Sequence, residues 1–203
     1  MTAIVRDDVD EPRRRLLLVA TSAAGTVAAA GVAVPFLASW FPSARALAAG
    51  APVTVPIDRI EEGQQITVEW RGKPVWVLSR TKEMLDIIRK NATADFLSDP
   101  ESKSSSQPDY VKGPERSIKP ELFVATGVCT HLGCSPTLKK EIGAASDMGP
   151  TWPGGYYCPC HNSRFDLAAR VFKGSPAPIN LAIPPHRYES DAVLVIGEDT
   201  KKA

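Results

Sequence analysis

The chain has 203 residues, enough for one ordinary domain with an appendage, and it carries 24 basic against 23 acidic side chains. This near neutrality gives no support to nucleic-acid binding or to a polybasic surface. Charged residues are absent from residues 16–44. The sequence therefore divides into a membrane-type segment and a soluble remainder.

The apolar run at residues 16–40 predicts a single membrane-spanning helix, since about 20 apolar residues suffice to cross a bilayer. Several arginines precede this run, whereas only Arg45 closely follows it. The positive-inside rule then places the N-terminus in the cytoplasm and the rest of the chain outside. The alternative is a signal peptide cleaved after the small residues 46–48, but the run is longer than the apolar part of a signal peptide.

The segments on either side of the apolar run have separate interpretations. Residues 1–15 contain Arg13 and Arg14, which resemble a twin-arginine export signal. Such a signal suits a head that folds around a cofactor before it is exported. Residues 41–52 are rich in small side chains and have no periodic hydrophobic face, which indicates a flexible hinge or tether.

The remainder, residues 53–203, is predicted to be a mainly β head, an antiparallel β-sandwich. Alternating apolar residues bounded by turn residues predict strands at 66–70, 74–78, 122–128 and 192–196. The pattern at 81–91 predicts the only soluble helix. The polar, proline-rich stretch 92–120 is expected to have little regular structure.

All four cysteines lie in two short segments, 129–134 and 158–163, and each segment also holds one histidine. Each segment could therefore donate one thiolate and one imidazole to a shared centre. One kind of [2Fe–2S] cluster has two thiolates on one iron and two imidazoles on the other. One thiol would remain in each segment, and outside the cytoplasm paired thiols become disulfides.

Two other readings use the same residues. A zinc ion accepts two thiolates and two imidazoles in a tetrahedron, but this reading leaves the other thiol pair and the apolar run unexplained. Two disulfides with surface histidines would leave the short cysteine–histidine spacings unexplained. The third histidine, His186, is expected to be a surface or strand-edge residue rather than a ligand.

The segments C-T-H-L-G-C and C-P-C-H-x-S resemble the cluster-binding motifs of Rieske iron–sulfur proteins from cytochrome bc complexes. The resemblance extends over most of the chain, from the apolar run and a hinge at residues 46–50 to the closing strands. It implies a cluster-binding subdomain at about residues 122–181. In that subdomain the ligands of one iron are Cys129 and Cys158, those of the other are His131 and His161, and the disulfide joins Cys134 and Cys160.

The resemblance also implies which residues surround the cluster. Leu132 at the tip of the first segment meets the quinol pocket, and residues 173–178 resemble the loop that covers the cluster, with Gly174, Pro176 and Pro178. Ser163 corresponds to a serine that donates a hydrogen bond to a cluster sulfide. Asn162 stands where glycine is usual. Phe165 stands where a tyrosine often donates a hydrogen bond to a ligand cysteine, and the loss of that hydroxyl is expected to lower the reduction potential.

The function implied is that of the Rieske subunit of a bacterial cytochrome bc1 complex. Such a subunit takes one electron and one proton from ubiquinol and passes the electron to cytochrome c1. His161 is then hydrogen-bonded to the quinol, and His131 lies beside it. The implied partners are cytochrome b and cytochrome c1 in a dimeric complex, with the head in the periplasm and the anchor in the inner membrane. Alternatives are the Rieske subunit of an exported arsenite oxidase, a soluble Rieske ferredoxin and a binding module without a cluster.

Overall fold

The computed structural model describes residues 10–199, and the chain divides into two compact units between residues 47 and 48. The first unit contains helix α1, Glu11–Ala38, whose apolar window has a mean hydropathy of 1.9 and which is long enough to cross a membrane. The predicted span began at residue 16, but the helix begins at Glu11 because the Asp10 side chain accepts a hydrogen bond from the Arg13 amide at 3.2 Å. Residues 1–9, part of the predicted export signal, lie outside the described range.

A short helix, α2, occupies Ala44–Ala49 within the stretch predicted to be a tether. Alanine has the highest intrinsic helix propensity, and the Ser43 hydroxyl accepts a hydrogen bond from the Ala46 amide at 3.2 Å at the start of this helix. Helix α2 spans the division between the two units. The role of residues 41–52 as a hinge stays a prediction.

The second unit contains three antiparallel sheets of three strands each, which confirms the predicted mainly β head. The first sheet has the order β1 (Val53–Pro56), β9 (Val193–Ile196) and β8 (His186–Ser190). The second has the order β2 (Gln65–Trp70), β3 (Lys73–Ser79) and β4 (Leu122–Thr126). The third has the order β5 (Thr137–Lys139), β6 (Gly155–Cys158) and β7 (Ser163–Phe165).

The second sheet has a hydrophobic core on each face because side chains alternate along a strand. On β3, Val75 and Val77 pack with residues of β1 and β9, including Val55 and Leu194. The intervening Trp76 belongs to the other core. That second core contains both free cysteines, so the candidate metal site is built onto one face of the sandwich. Its members from the cysteine-bearing part include Cys129, Tyr156, Cys158, Phe165 and Ala177.

Helix α3, Lys82–Lys90, lies at the predicted position, with Thr81 as its N-cap. Met84 and Ile88 on its apolar face are buried in the second core. No helix or strand occurs in the stretch 92–120, as expected for this part of the described chain. The stretch is nevertheless anchored, because the buried Arg116 donates to the carbonyl oxygens of Ala168 and Leu181 at 2.9 and 2.8 Å.

Of the two positions expected for His186, the strand edge is confirmed and the surface is wrong. This residue begins β8, an edge strand, and is 1% exposed. Its Nδ1 lies 2.9 Å from the Pro184 carbonyl oxygen, and its backbone amide donates to the Tyr110 hydroxyl at 2.9 Å. Burial lowers the pKa of His186, although the carbonyl of Pro184 opposes this shift.

Candidate metal centre

The first cysteine segment is a tight loop that follows β4. The Cys129 amide donates to the Cys134 carbonyl oxygen at 2.7 Å, and the Gly133 amide donates to the Cys129 carbonyl oxygen at 3.0 Å. Gly133 has a φ of +85°, which glycine adopts without steric cost. These bonds hold His131 on the same compact loop as both cysteines.

The second cysteine segment connects β6 to β7, in which Cys158 pairs with Ser163. The Asn162 amide closes the connection by donating to the Cys158 carbonyl oxygen at 3.0 Å. Asn162 has a φ of +63°, in the left-handed region. This conformation suits the glycine that the resemblance implies at this position, and asparagine is one of the few other residues that enter this region readily.

The structure brings the four predicted ligands together in two pairs. Cys129 and Cys158 are free thiols, only 3% and 2% exposed, and their side chains contact each other. The rings of His131 and His161 lie with their centroids 4.7 Å apart and their planes at 87°. His131 is half-buried and His161 is exposed.

The environment of these donors is suited to a bound group. Burial raises the pKa of the Cys129 thiol, whereas the His131 amide and the Ser163 hydroxyl, which hydrogen-bond to the sulfur, act in the opposite direction. His131 Nδ1 is buried without a hydrogen-bond partner in the described part of the chain. Because buried polar atoms are normally satisfied, this nitrogen is a natural ligand atom.

Cys134 and Cys160 form a disulfide that joins the two loops, with their Cα atoms 6.6 Å apart. The sulfur atoms of Cys134, Cys158 and Cys160 lie within 4.8 Å of one another. This trio is not a ligand set, since two of its sulfurs are already bonded to each other. The two thiols that remain for iron are those of Cys129 and Cys158.

A third loop, residues 173–178, is attached to strand β7, which follows the second cysteine loop. The Arg164 amide donates to the Ser175 hydroxyl at 3.1 Å, and the Ala177 amide donates to the hydroxyl of the fully buried Ser163 at 3.1 Å. Just after this loop, the Ile179 carbonyl oxygen accepts a hydrogen bond from the Thr130 hydroxyl of the first cysteine loop at 2.6 Å. The predicted covering residues Gly174, Pro176 and Pro178 are exposed on this loop.

The remaining predicted residues lie at opposite extremes of burial. Leu132 is 72% exposed at the tip of the first loop, which is unusual for a leucine unless another surface covers it. Phe165 is fully buried in the second core.

Thr130 and Tyr157 are not among the residues predicted from the sequence, although both make hydrogen bonds that hold these loops. Side chains alternate between the two faces of a strand, so a buried Tyr156 on β6 could have indicated that Tyr157 faces outward.

The donor set fits a [2Fe–2S] cluster with two thiolates and two imidazoles. The two sulfurs lie together, the two rings lie together, and one buried ring nitrogen has no protein partner among the described residues. A zinc ion uses the same kinds of donor, so the donor set alone does not separate the two metals.

Comparison with known proteins separates them. Residues 106–185 match the Rieske [2Fe-2S] domain family, and residues 5–43 match the family described as the TAT signal of the ubiquinol–cytochrome c reductase Fe-S subunit. The ubiquinol-cytochrome c reductase iron-sulfur subunit of Allochromatium vinosum is 56% identical over 195 residues, covering 96% of this chain and 93% of that protein.

Two more distant relatives have related descriptions. The iron-sulfur subunit of Bradyrhizobium diazoefficiens is 39% identical over 93% of this chain and 96% of its own length. The mitochondrial Rieske subunit of the Schizosaccharomyces pombe cytochrome b-c1 complex is 40% identical over 88% of this chain and 68% of its own length. The chain therefore belongs to the family of ubiquinol–cytochrome c reductase iron–sulfur subunits and carries a Rieske [2Fe–2S] domain.

Proposed function

We propose that this chain is the Rieske subunit of a cytochrome bc1 complex, in which it takes an electron and a proton from ubiquinol and delivers the electron to cytochrome c1. The observation that carries the proposal is the pairing of two buried thiols with two adjacent imidazoles, one of which is exposed. The family membership and the apolar helix α1 support it.

The proposed ligands are Cys129 and Cys158 for one iron and His131 and His161 for the other. When bound, the cluster supplies a one-electron acceptor whose potential is raised because neutral imidazoles replace two thiolates. The chain's own contribution is to hold these donors in a largely water-free cradle. The disulfide between the loops and the third loop, 173–178, keep that cradle closed.

Two exposed side chains are suited to meeting the quinol. The outward ring nitrogen of His161 accepts a hydrogen bond from the quinol hydroxyl and then holds the proton. Leu132 offers an apolar contact beside it, which suits the apolar quinol and the pocket wall of cytochrome b. The Ser163 hydroxyl is hydrogen-bonded to the Cys129 sulfur and accepts a hydrogen bond from the Ala177 amide. It is therefore placed to stabilise negative charge at the metal centre.

The remaining parts of the proposal concern placement in the membrane. Helix α1 anchors the chain in the bacterial inner membrane with its N-terminus in the cytoplasm, and the head lies in the periplasm. Residues 41–52 act as the hinge that lets the head reach first cytochrome b and then cytochrome c1. The complex is dimeric, and the chain is one of its catalytic subunits.

The test is purification of the chain from membranes with whatever accompanies it. We expect cytochromes b and c1 to co-purify, two irons and two acid-labile sulfides for each chain, and cytochrome c reduction that depends on ubiquinol. His161→Ala should lose both the cluster's electron paramagnetic resonance signal and this activity. The control, His186→Gln, alters the histidine that lies outside the site and should retain both. Zinc instead of iron, or full activity in His161→Ala, would contradict the proposal.

A further inference from the structure

One hydrogen bond beside the candidate site involves neither a proposed iron ligand nor a cysteine of the disulfide. It joins the hydroxyl of Tyr157 on β6 to Oδ1 of Asn162 at the end of the second cysteine loop. We propose that Tyr157 and Asn162 form a positioning pair that holds the His161 ring in the direction required for binding ubiquinol. This inference rests on the proposed function of His161.

Tyr157 is suited to this role by its position on β6. Its neighbour Tyr156 points into the core, where its ring stacks on Trp76 at 4.8 Å with an interplanar angle of 4°. Successive side chains on a strand point to opposite faces, so Tyr157 lies on the outer face. There it is held between its strand partners Thr137 and Arg164 and is only half-buried.

The pair acts on a loop that is already fixed at one point. Cys160, before His161, is tied to the first loop by the disulfide. Asn162, after His161, is tied to Cys158 by its backbone amide at 3.0 Å and to Tyr157 by its side chain. His161 therefore lies between two anchored residues. The hydrogen bond from the Tyr157 hydroxyl ties the side chain of Asn162 to strand β6.

Ligation to iron would fix the His161 ring at one nitrogen but would leave rotation of the ring about that bond to be set by the loop. The ring is exposed, and its centroid lies 4.7 Å from that of the His131 ring. The apparent affinity for a ligand falls in proportion to the fraction of molecules in the binding-competent arrangement. A loop that rotates more freely would weaken quinol binding and leave later steps unchanged.

The residue at position 162 makes the inference specific to this chain. Glycine, which is usual here, adopts the left-handed φ freely but offers no side chain to Tyr157. Asn162→Gly therefore removes the hydrogen bond without straining the turn. Tyr157→Phe removes the same bond from the other side and keeps the aromatic ring. Tyr156→Phe is the matched control, because it removes the adjacent tyrosine hydroxyl, which bonds to Gln65 in the core at 3.1 Å.

The experiment measures ubiquinol–cytochrome c activity in the purified complex carrying Tyr157→Phe, Asn162→Gly or both. We expect KM for ubiquinol to rise about fivefold in each single variant, with kcat and iron content unchanged, as for loss of binding alone. The double variant should show the same rise, because both substitutions remove one interaction and their effects are not additive. Tyr156→Phe should leave KM at the parental value.

Three outcomes would overturn the inference. The first is an unchanged KM in Tyr157→Phe. The second is a rise in KM in the double variant equal to the product of the two single rises. The third is loss of iron in Tyr157→Phe, which would mean that the hydrogen bond holds the cluster rather than orienting the ring. Each of them leaves the proposed function standing if the parent oxidises ubiquinol and His161→Ala does not. A parent complex without ubiquinol oxidation would instead contradict the proposed function.

Discussion

Replacing Cys134 and Cys160 together with serine removes the crosslink between the two cysteine loops. Both residues have to be changed, because a single remaining thiol would lie within 4.8 Å of the Cys158 sulfur and could compete for iron. The bridged residues are 26 positions apart. Closing a loop of that length lowers the entropy of the unfolded chain by an amount worth about 3.5 kcal/mol at 25 °C.

The assay is urea unfolding of the cluster-free full chain in detergent, followed by the fluorescence of the buried Trp76 and Trp152. Extrapolation to zero urea gives the free energy of unfolding. We expect the double variant to lose about 3.5 kcal/mol relative to the oxidised parent. The parent treated with a disulfide reductant is the matched control and should agree with the variant. A loss below about 1 kcal/mol, or a reduced parent as stable as the oxidised one, would refute the entropic argument.

Three further predictions concern other buried groups. Asp166→Asn leaves the fully buried guanidinium of Arg170 without the carboxylate that lies 2.6 Å from it, and this should lower the free energy of unfolding by about 3–5 kcal/mol. The control, Asp147→Asn at the surface, should change the free energy of unfolding little. His186 has a pKa in the folded state below its unfolded value, so the free energy of unfolding should fall as the pH drops below about 6.5. His186→Gln should weaken this pH dependence, and an unchanged slope would contradict the prediction. Phe165→Tyr should raise the cluster's reduction potential, since an added hydrogen-bond donor to a ligand sulfur favours the reduced state. Redox titration measures the potential, and a lower potential in the variant would mean that residue 165 does not face the ligands.

Much of the sandwich could be predicted because its strands have clear periodicity and clear ends. The hairpin of β2 and β3 lies where alternating apolar residues flank Arg71 and Gly72, both of which have positive φ in the turn. Helix α3 was located because the apolar residues within 81–91 lie on one side of a helix, and the structure shows Thr81 and Asn91 as its caps. The two cysteine segments were recognised because the order of their donors is specific, and the structure places those donors side by side.

Other features follow from contacts that a local pattern does not show. Strands β5 and β7 are three residues long, so no alternation can be read in them. Arg116 lies in a polar, proline-rich stretch and carries a charge, both of which favour exposure. It is buried because carbonyl oxygens of distant loops accept from its guanidinium. Burial lowers the pKa of Arg116 to about 10, and this cost is offset mainly through partners that are far away in the sequence.

The position of one cysteine loop relative to the other is set by packing behind the site. The chain continues from the end of β4 through Gly127 to Cys129. A Cβ on Gly127 would lie 2.3 Å from the ring of Trp76, so the backbone there rests directly on the indole. The same indole stacks on Tyr156, which precedes Cys158 on β6. One aromatic side chain on the central strand therefore contacts the segments that lead into both loops. The packing of this indole therefore contributes to the spacing of the two buried thiols through contacts other than the disulfide.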